Sequence, residues 1–354
     1  MTNPGPGGGD SDPVTFTVEP SNRPPVADAG ADLTADEGDT VTLDASGSSD
    51  PDGDTLTYTW APLACDWAGI GTLTGMTPAL TVPDQGTCVL ELQVHDGHVT
   101  DTDTVTVTGL NVAPSWVWLS GPLDPQQLGT TIAIDGQVTD PGVHDVITVS
   151  IDWGDGSTDP ASVSGPASAT SVSASHTYAQ AGVYTVTGTA IDGDGGSATE
   201  VFRYVVVYDP DGGFVTGGGH IESPIGACRL TVLCGVATGK ANFGFVAKYE
   251  QGAQTPTGQT QFAFRAGDLN FHSESYKWLV VAGSQAKYKG TGSVNGTSGY
   301  GFMLTAVDGE PDTFRMKIWD EVSGDVVYDN RYDAEDDSYA GTALRGGSIV
   351  VHKP

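Results

Sequence analysis

The chain repeats itself, and that constrains its fold more than any other feature. Residues 86–97, GTCVLELQVHDG, align without a gap on residues 182–193, GVYTVTGTAIDG, which places Cys88 on Tyr184 and Asp96 on Asp192. Further on, VTVTG at 105–109 meets VFRYV at 201–205. A second correspondence joins VTFTVEPSNRPPV at 14–26 to VTVTGLNVAPSW at 105–116 and brings Asn22 onto Asn111. Self-similarity at a fixed period marks a series of structural units, each with its own core. Within each unit Val and Thr alternate with period two, the signature of half-buried strands, and Gly, Pro, Asp and Ser clusters punctuate them at sandwich-like spacing. No window of ten or more residues carries apolar positions at helical spacing.

The boundaries follow: 1–21 as a linker with the remnant strand 14–18 of a preceding repeat, 22–110 and 111–209 as two immunoglobulin-like β-sandwiches, and 210–354 as a distinct C-terminal module. The predicted class is all-β throughout. An orphaned strand at 14–18 would offer a free edge for another copy of the chain; a flexible tail is the alternative.

Charge narrows the partners. The net charge is -31, and residues 1–210 hold only Arg23 and Arg203 as basic side chains, with no Lys. So acidic a surface repels phosphate backbones, which excludes nucleic acid as a partner, and leaves many carboxylates in need of cations, divalent metal first among them. Solubility alone is the plainer use of such charge. The four cysteines form two local pairs, Cys65 with Cys88 and Cys228 with Cys234, each inside one proposed module. This pattern predicts two structural disulfides and an oxidising, secreted or cell-surface location. No apolar stretch is long enough to span a membrane, and Met1 followed by TNPGPGGGDSDP reads as a cut in the linker of a longer precursor.

The second repeat resembles the PKD family of immunoglobulin-like domains through Trp153-Gly154-Asp155-Gly156, His176-Thr177-Tyr178 and Ala181-Gly182-Val183-Tyr184. The first is similar through PPVADAG, GDTVTLDASGSSDPDGD and Asp96-Gly97, although Trp60-Ala61-Pro62 replaces the WGDG turn and Cys65 and Cys88 are additional. The resemblance implies calcium near the start of each domain, held by an Asn of the incoming linker, acids of a D-x-D type and an Asp after the penultimate strand. In the first repeat those positions are Asn22, Asp50, Asp52 and Asp96. Calcium takes six to eight oxygens, and carboxylates spaced through DPDGD supply several of them. In the second repeat Asn111, Asp140 and Asp192 match; Gly142 replaces the second acid, and Asp145 is the substitute. His176 and Tyr178 resemble a structural corner in which a tyrosine hydroxyl bonds backbone. Asp152 and Asp155 read as acceptors for backbone amides.

Residues 214–354 change character: Lys returns and aromatic residues rise, in segments that read as strands of an antiparallel sandwich or barrel. Three functions are open to them. Tyr276, Trp278, Tyr288, Tyr300 or Trp319 could stack on sugars, against the plainer reading that alternating aromatics are core. A glycosidase would need two convergent carboxylates among Asp268, Glu274, Asp308 and Asp320, and nothing in the spacing pairs them. A Lys–Asn crosslink would draw on Lys240 or Lys248 and Asn270 or Asn330. The leading expectation is a non-catalytic extracellular structural or adhesive protein, a calcium-stiffened array that pairs through β-edges with its own copies or binds an extracellular polysaccharide or matrix protein. The alternative is an ancillary binding segment of a secreted hydrolase.

Overall fold

A computed structural model describes residues 21–353, so the strand expected at 14–18 lies outside the described residues. Two compact units result: the first sandwich is one, and the second sandwich with the C-terminal module is the other.

In the first sandwich a five-stranded sheet runs in the order Leu33–Asp36, Thr100–Leu110, Gly86–His95, Thr57–Cys65, Leu73–Thr74, and a two-stranded sheet pairs Thr40–Thr42 with Ala79–Thr81. Leu33–Asp36 lies parallel to Thr100–Leu110, while the other pairings are antiparallel. Alternation sets the faces: Cys88, Leu90, Leu92 and Val94 are all buried, with Val105 and Val107 beside them, because successive side chains of a strand point to opposite sides. Trp60 fills the centre, fully buried, and its indole N–H donates to the Gly75 carbonyl at 3.0 Å. Cys65 and Cys88 are direct cross-strand partners and are disulfide-bonded.

The second sandwich repeats this logic. Gly182–Ile191 pairs with Ser197–Tyr208 as Gly86–His95 pairs with Thr100–Leu110, and Gln126–Gln127 lies parallel to Ser197–Tyr208. A facing four-stranded sheet holds Ser162–Ser164, Thr170–His176, Ile132–Thr139 and Ser115–Ser120. The WGDG and HTY segments meet at one corner. The Tyr178 hydroxyl donates to the Trp153 carbonyl at 2.9 Å, the Trp153 and His176 rings stack at 4.9 Å, and His176 Nε2 lies 2.9 Å from Asp155 Oδ2. Gly154 has φ +76°, and a Cβ there would lie 2.4 Å from the Thr185 carbonyl oxygen, so the turn demands glycine twice over.

The C-terminal module is one antiparallel sheet: Val326–Asp329, Thr313–Asp320, Thr297–Val307, Gln285–Val294, Leu269–Ala282, Thr257–Phe264, Gly239–Lys248, Phe214–Ser223, Gly346–His352. It curls around a single aromatic core that includes Phe243, Phe245, Phe262, Phe271, Phe302, Phe314 and Tyr328. Thr342–Ala343 pairs with Thr313–Asp320 near one end of the sheet, and the chain then continues into Gly346–His352 at the other. Two side chains complete the closure. Asp312 and Asp308 accept the backbone N–H groups of Ile349 and Val351, at 2.8 and 3.0 Å, which occupies donors an edge strand would otherwise expose. The second disulfide, Cys228–Cys234, ties the loop that carries the short helix Val232–Val236.

Many carboxylates expected to need metal are used in the same way, as acceptors for backbone amides. Asp101 and Asp103 take the N–H groups of Ala27 and Ala29 from 74 residues away, Asp32 takes that of Thr106, and Asp66 takes that of Thr87. Part of the acidic surplus is therefore structural.

Candidate metal centre

The incoming segment is laid against the first sandwich by a two-way backbone bridge, Val26 N–H to the Ser49 carbonyl at 2.8 Å and Ser49 N–H to the Val26 carbonyl at 3.0 Å. This sets Asn22 and Arg23 beside the DPDGD loop that follows Ser49. Asp50 Oδ1 caps that loop by accepting the N–H groups of Asp52 (2.7 Å) and Asp54 (3.2 Å), the local bond that makes Asp a turn former. Its other oxygen, Oδ2, is buried and accepts no hydrogen bond among the described residues. The carboxylates of Asp50, Asp52 and Asp54 each offer an oxygen, all within 4.8 Å of one another.

Asp96 arrives from the end of Gly86–His95. Its Oδ1 accepts the N–H groups of His98 (2.6 Å) and Val99 (2.8 Å), and its Oδ2 accepts the Asn22 side-chain amide at 2.9 Å. The Asn22 amide, followed by the Val99 N–H, lowers the Asp96 pKa to about 2. Asp52 is also held below the ordinary carboxylate range, first by its hydrogen bond from Arg23, while the Asp96 charge opposes that shift. Asp96 is thus tied to Asn22 and its charge reaches Asp52, while the carboxylates that converge are Asp50, Asp52 and Asp54.

Two further residues belong to this site. Asp54, exposed like Asp52, joins the carboxylate cluster. Arg23, exposed, donates through Nε and Nη2 to Asp52 Oδ1 at 2.8 and 2.7 Å and bonds the Pro51 carbonyl. A signal for Arg23 was present: it is one of two basic residues in the first 210 and directly follows Asn22. A buried, unbonded carboxylate oxygen beside two more carboxylates suits a hard cation that prefers oxygen.

Of the second set, Asp192 Oδ1 accepts the N–H groups of Asp194 and Gly196 at 3.0 and 2.8 Å, repeating the Asp96 turn. Asp145 Oδ1 accepts the Gly193 N–H at 3.2 Å, and Asp140 is buried with its own N–H on the Ala167 carbonyl. Asn111 directly follows the strand Thr100–Leu110 and belongs to the first unit.

Residues 29–108 match one PKD-domain family, and residues 111–207 match a second family described simply as PKD domain. The chain is a tandem PKD-domain protein. No curated protein matches it. Among solved structures it is similar to an endo-fucoidan hydrolase, MfFcnA4 from glycoside hydrolase family 107, at 22% identity over 56% of this chain and 30% of that one, with a TM-score of 0.27. It is also similar to titin A168169 (14% identity, 52% of this chain and 99% of that one, TM-score 0.29) and to Sidekick-1 immunoglobulin domains 1–5 (15%, 52% and 40%, 0.26). The chain spans less than a third of the hydrolase's length.

PKD domains are typical of extracellular proteins, and the two disulfides of the tandem PKD-domain protein fit that location. No helix among the described residues is long and apolar enough to cross a membrane.

The aromatic expectations divide. Tyr276 and Tyr288 are core residues, buried with both hydroxyls 2.8 Å from Thr260 Oγ1, so neither offers a ring face to a sugar, and the expectation is corrected for both. Tyr300 packs half-buried against the same core. Trp278 and Trp319 instead line a cleft between the second PKD domain and the C-terminal module. The crosslink expectation fails at Asn330, whose amide oxygen accepts the Met316 N–H while its nitrogen donates to the Phe314 carbonyl and Thr342 Oγ1. Of the four acids considered for glycoside cleavage, Asp308 and Asp320 accept backbone amides, and Glu274 accepts the Ser298 hydroxyl.

Proposed function

We propose that the tandem PKD-domain protein is a non-catalytic extracellular array in which calcium, bound by Asn22, Asp50, Asp52, Asp54 and Asp96, locks the incoming segment to the first sandwich. The observation that carries this reading is the buried Asp50 Oδ2 that accepts no hydrogen bond among the described residues, beside Asp52 and Asp54 and next to the Asn22–Asp96 bond. Ligands drawn from both the segment and the domain remove the torsional freedom between them, which is how such a site stiffens an array. Asp140, Asp145 and Asp192 carry the same proposal for the second domain.

Copies would pair through sheet edges. The edge strand Ser115–Ser120, with Val117 55% and Trp118 45% exposed, supports this. Sedimentation at rising protein concentration tests it, and a strictly monomeric chain refutes it.

The calcium reading is tested by amide hydrogen exchange of residues 22–27 in calcium and in chelator. Calcium slows exchange there at least tenfold if it locks the segment. Equal exchange in both conditions refutes the lock.

A further inference from the structure

The cleft between the second PKD domain and the C-terminal module has a volume of about 370 Å³, within the range of small-molecule sites. Its walls are apolar and aromatic: Trp278 and Met303 are nearly buried, and Tyr204 and Trp319 are partly exposed. Gly301 decides how Trp319 lies. The two are cross-strand partners, and a Cβ on Gly301 would come within 2.3 Å of the indole, so glycine lets the ring rest against the sheet. Lys289 Nζ stands 5.2 Å from the centre of that ring.

Charge is what distinguishes the cleft. In a chain of net charge -31, three cations, Arg203, Lys289 and Lys317, and one acid, Asp336, line it. Arg203 is engaged by Glu335 at 2.8 Å and Lys317 by Asp336 at 2.5 Å. Lys289 has no ion pair among the described residues; its contact is with the Trp319 ring. Burial, and then the charge of Lys277, lower the Lys289 pKa. The carboxylates whose charge reaches Lys289, Asp336 and Glu321, form no ion pair with it, so this half-buried ammonium gains from an incoming anion, and the partly exposed Trp319 indole gives a sugar ring a flat apolar contact.

We infer that this cleft binds an anionic sugar unit, with its carboxylate or sulfate on Lys289 and its ring against Trp319. The inference does not depend on calcium at the first domain. The acidic surface elsewhere does not forbid such a ligand, because charges beyond roughly 8 Å are largely screened at physiological salt.

Titration calorimetry of the full chain with oligogalacturonate, its neutral methyl ester, dextran sulfate and plain dextran tests the inference. Binding to an acidic polymer and not to its neutral counterpart is expected, and the responding polymer tells carboxylate from sulfate. Lys289→Gln, which keeps most of the stem, weakens binding about tenfold, the loss of one charge-assisted bond. Trp319→Ala weakens it further, and a thermal melt of each variant confirms the fold. Should Trp319→Ala unfold the module, Lys317→Gln at the cleft wall weakens binding severalfold in its place. The inference is overturned if neither acidic polymer binds, if the neutral polymers bind as well, or if folded Lys289→Gln binds like the parent.

Discussion

The side-chain amide of Asn22 donates to Asp96 Oδ2 across 2.9 Å, a bond spanning 74 residues that ties the incoming segment to the end of a central strand. It gives the Asp96 pKa its direction. A carboxyl whose folded value is depressed, here to about 2, stabilises the fold above its unfolded value of about 4 and loses that contribution as pH falls through the folded value. Acid unfolding of the first domain therefore steepens between roughly pH 4 and pH 2. Asn22→Ala flattens this part of the curve, as read by tryptophan fluorescence against pH.

Arg23 competes for the same oxygens. Its guanidinium sits on Asp52, so a cation bound at Asp50, Asp52 and Asp54 is opposed by a neighbouring positive charge. Arg23→Gln is expected to tighten calcium binding severalfold, an effect that shrinks as salt rises because the pair is exposed. Unchanged affinity at low salt contradicts this arrangement.

Tyr178 closes the WGDG corner by donating to the Trp153 carbonyl at a fully buried position. Tyr178→Phe preserves the ring contacts and leaves that carbonyl without the donor, at a cost of about 1–3 kcal/mol. Urea unfolding of the parent and the variant measures it.

Lys287 is buried in the C-terminal module, where its Nζ bonds the carbonyls of Asp336 and Ser338. Burial, then the Arg315 charge, lower its pKa to about 7. Between pH 7 and 10 the unfolded chain holds a proton there that the folded chain sheds, so stability rises with pH by at most about 1.4 kcal/mol per unit. Lys287→Met removes this slope. Melting temperatures between pH 7 and about 9 decide it, below the range in which tyrosines of the unfolded chain ionise appreciably.

The architecture was legible where local pattern suffices. Alternating Val and Thr gave strands, the repeat gave two matching sandwiches, and the resemblance to PKD domains gave the corner at His176 and Tyr178. That resemblance also groups Asn22, Asp50, Asp52 and Asp96, the repeat aligning only Asn22 and Asp96 with counterparts in the second domain. Arg23 was missed because its role depends on where the incoming chain crosses the loop. The amide-binding role of Asp101, Asp103, Asp308 and Asp312 was missed for a similar reason, since their partners lie 37 to 74 residues away. Tyr276 and Tyr288 misled because period two gives alternation without saying which face a curled sheet turns inward.

Scanning calorimetry of the chain, stripped of metal and then titrated with calcium, measures the central claim most directly. The account predicts a melting temperature for the first domain that rises with calcium concentration, as it must when a ligand binds only the folded state, and a rise that disappears in Asp50→Asn. A transition that ignores calcium, or a rise that survives intact in Asp50→Asn, would contradict it.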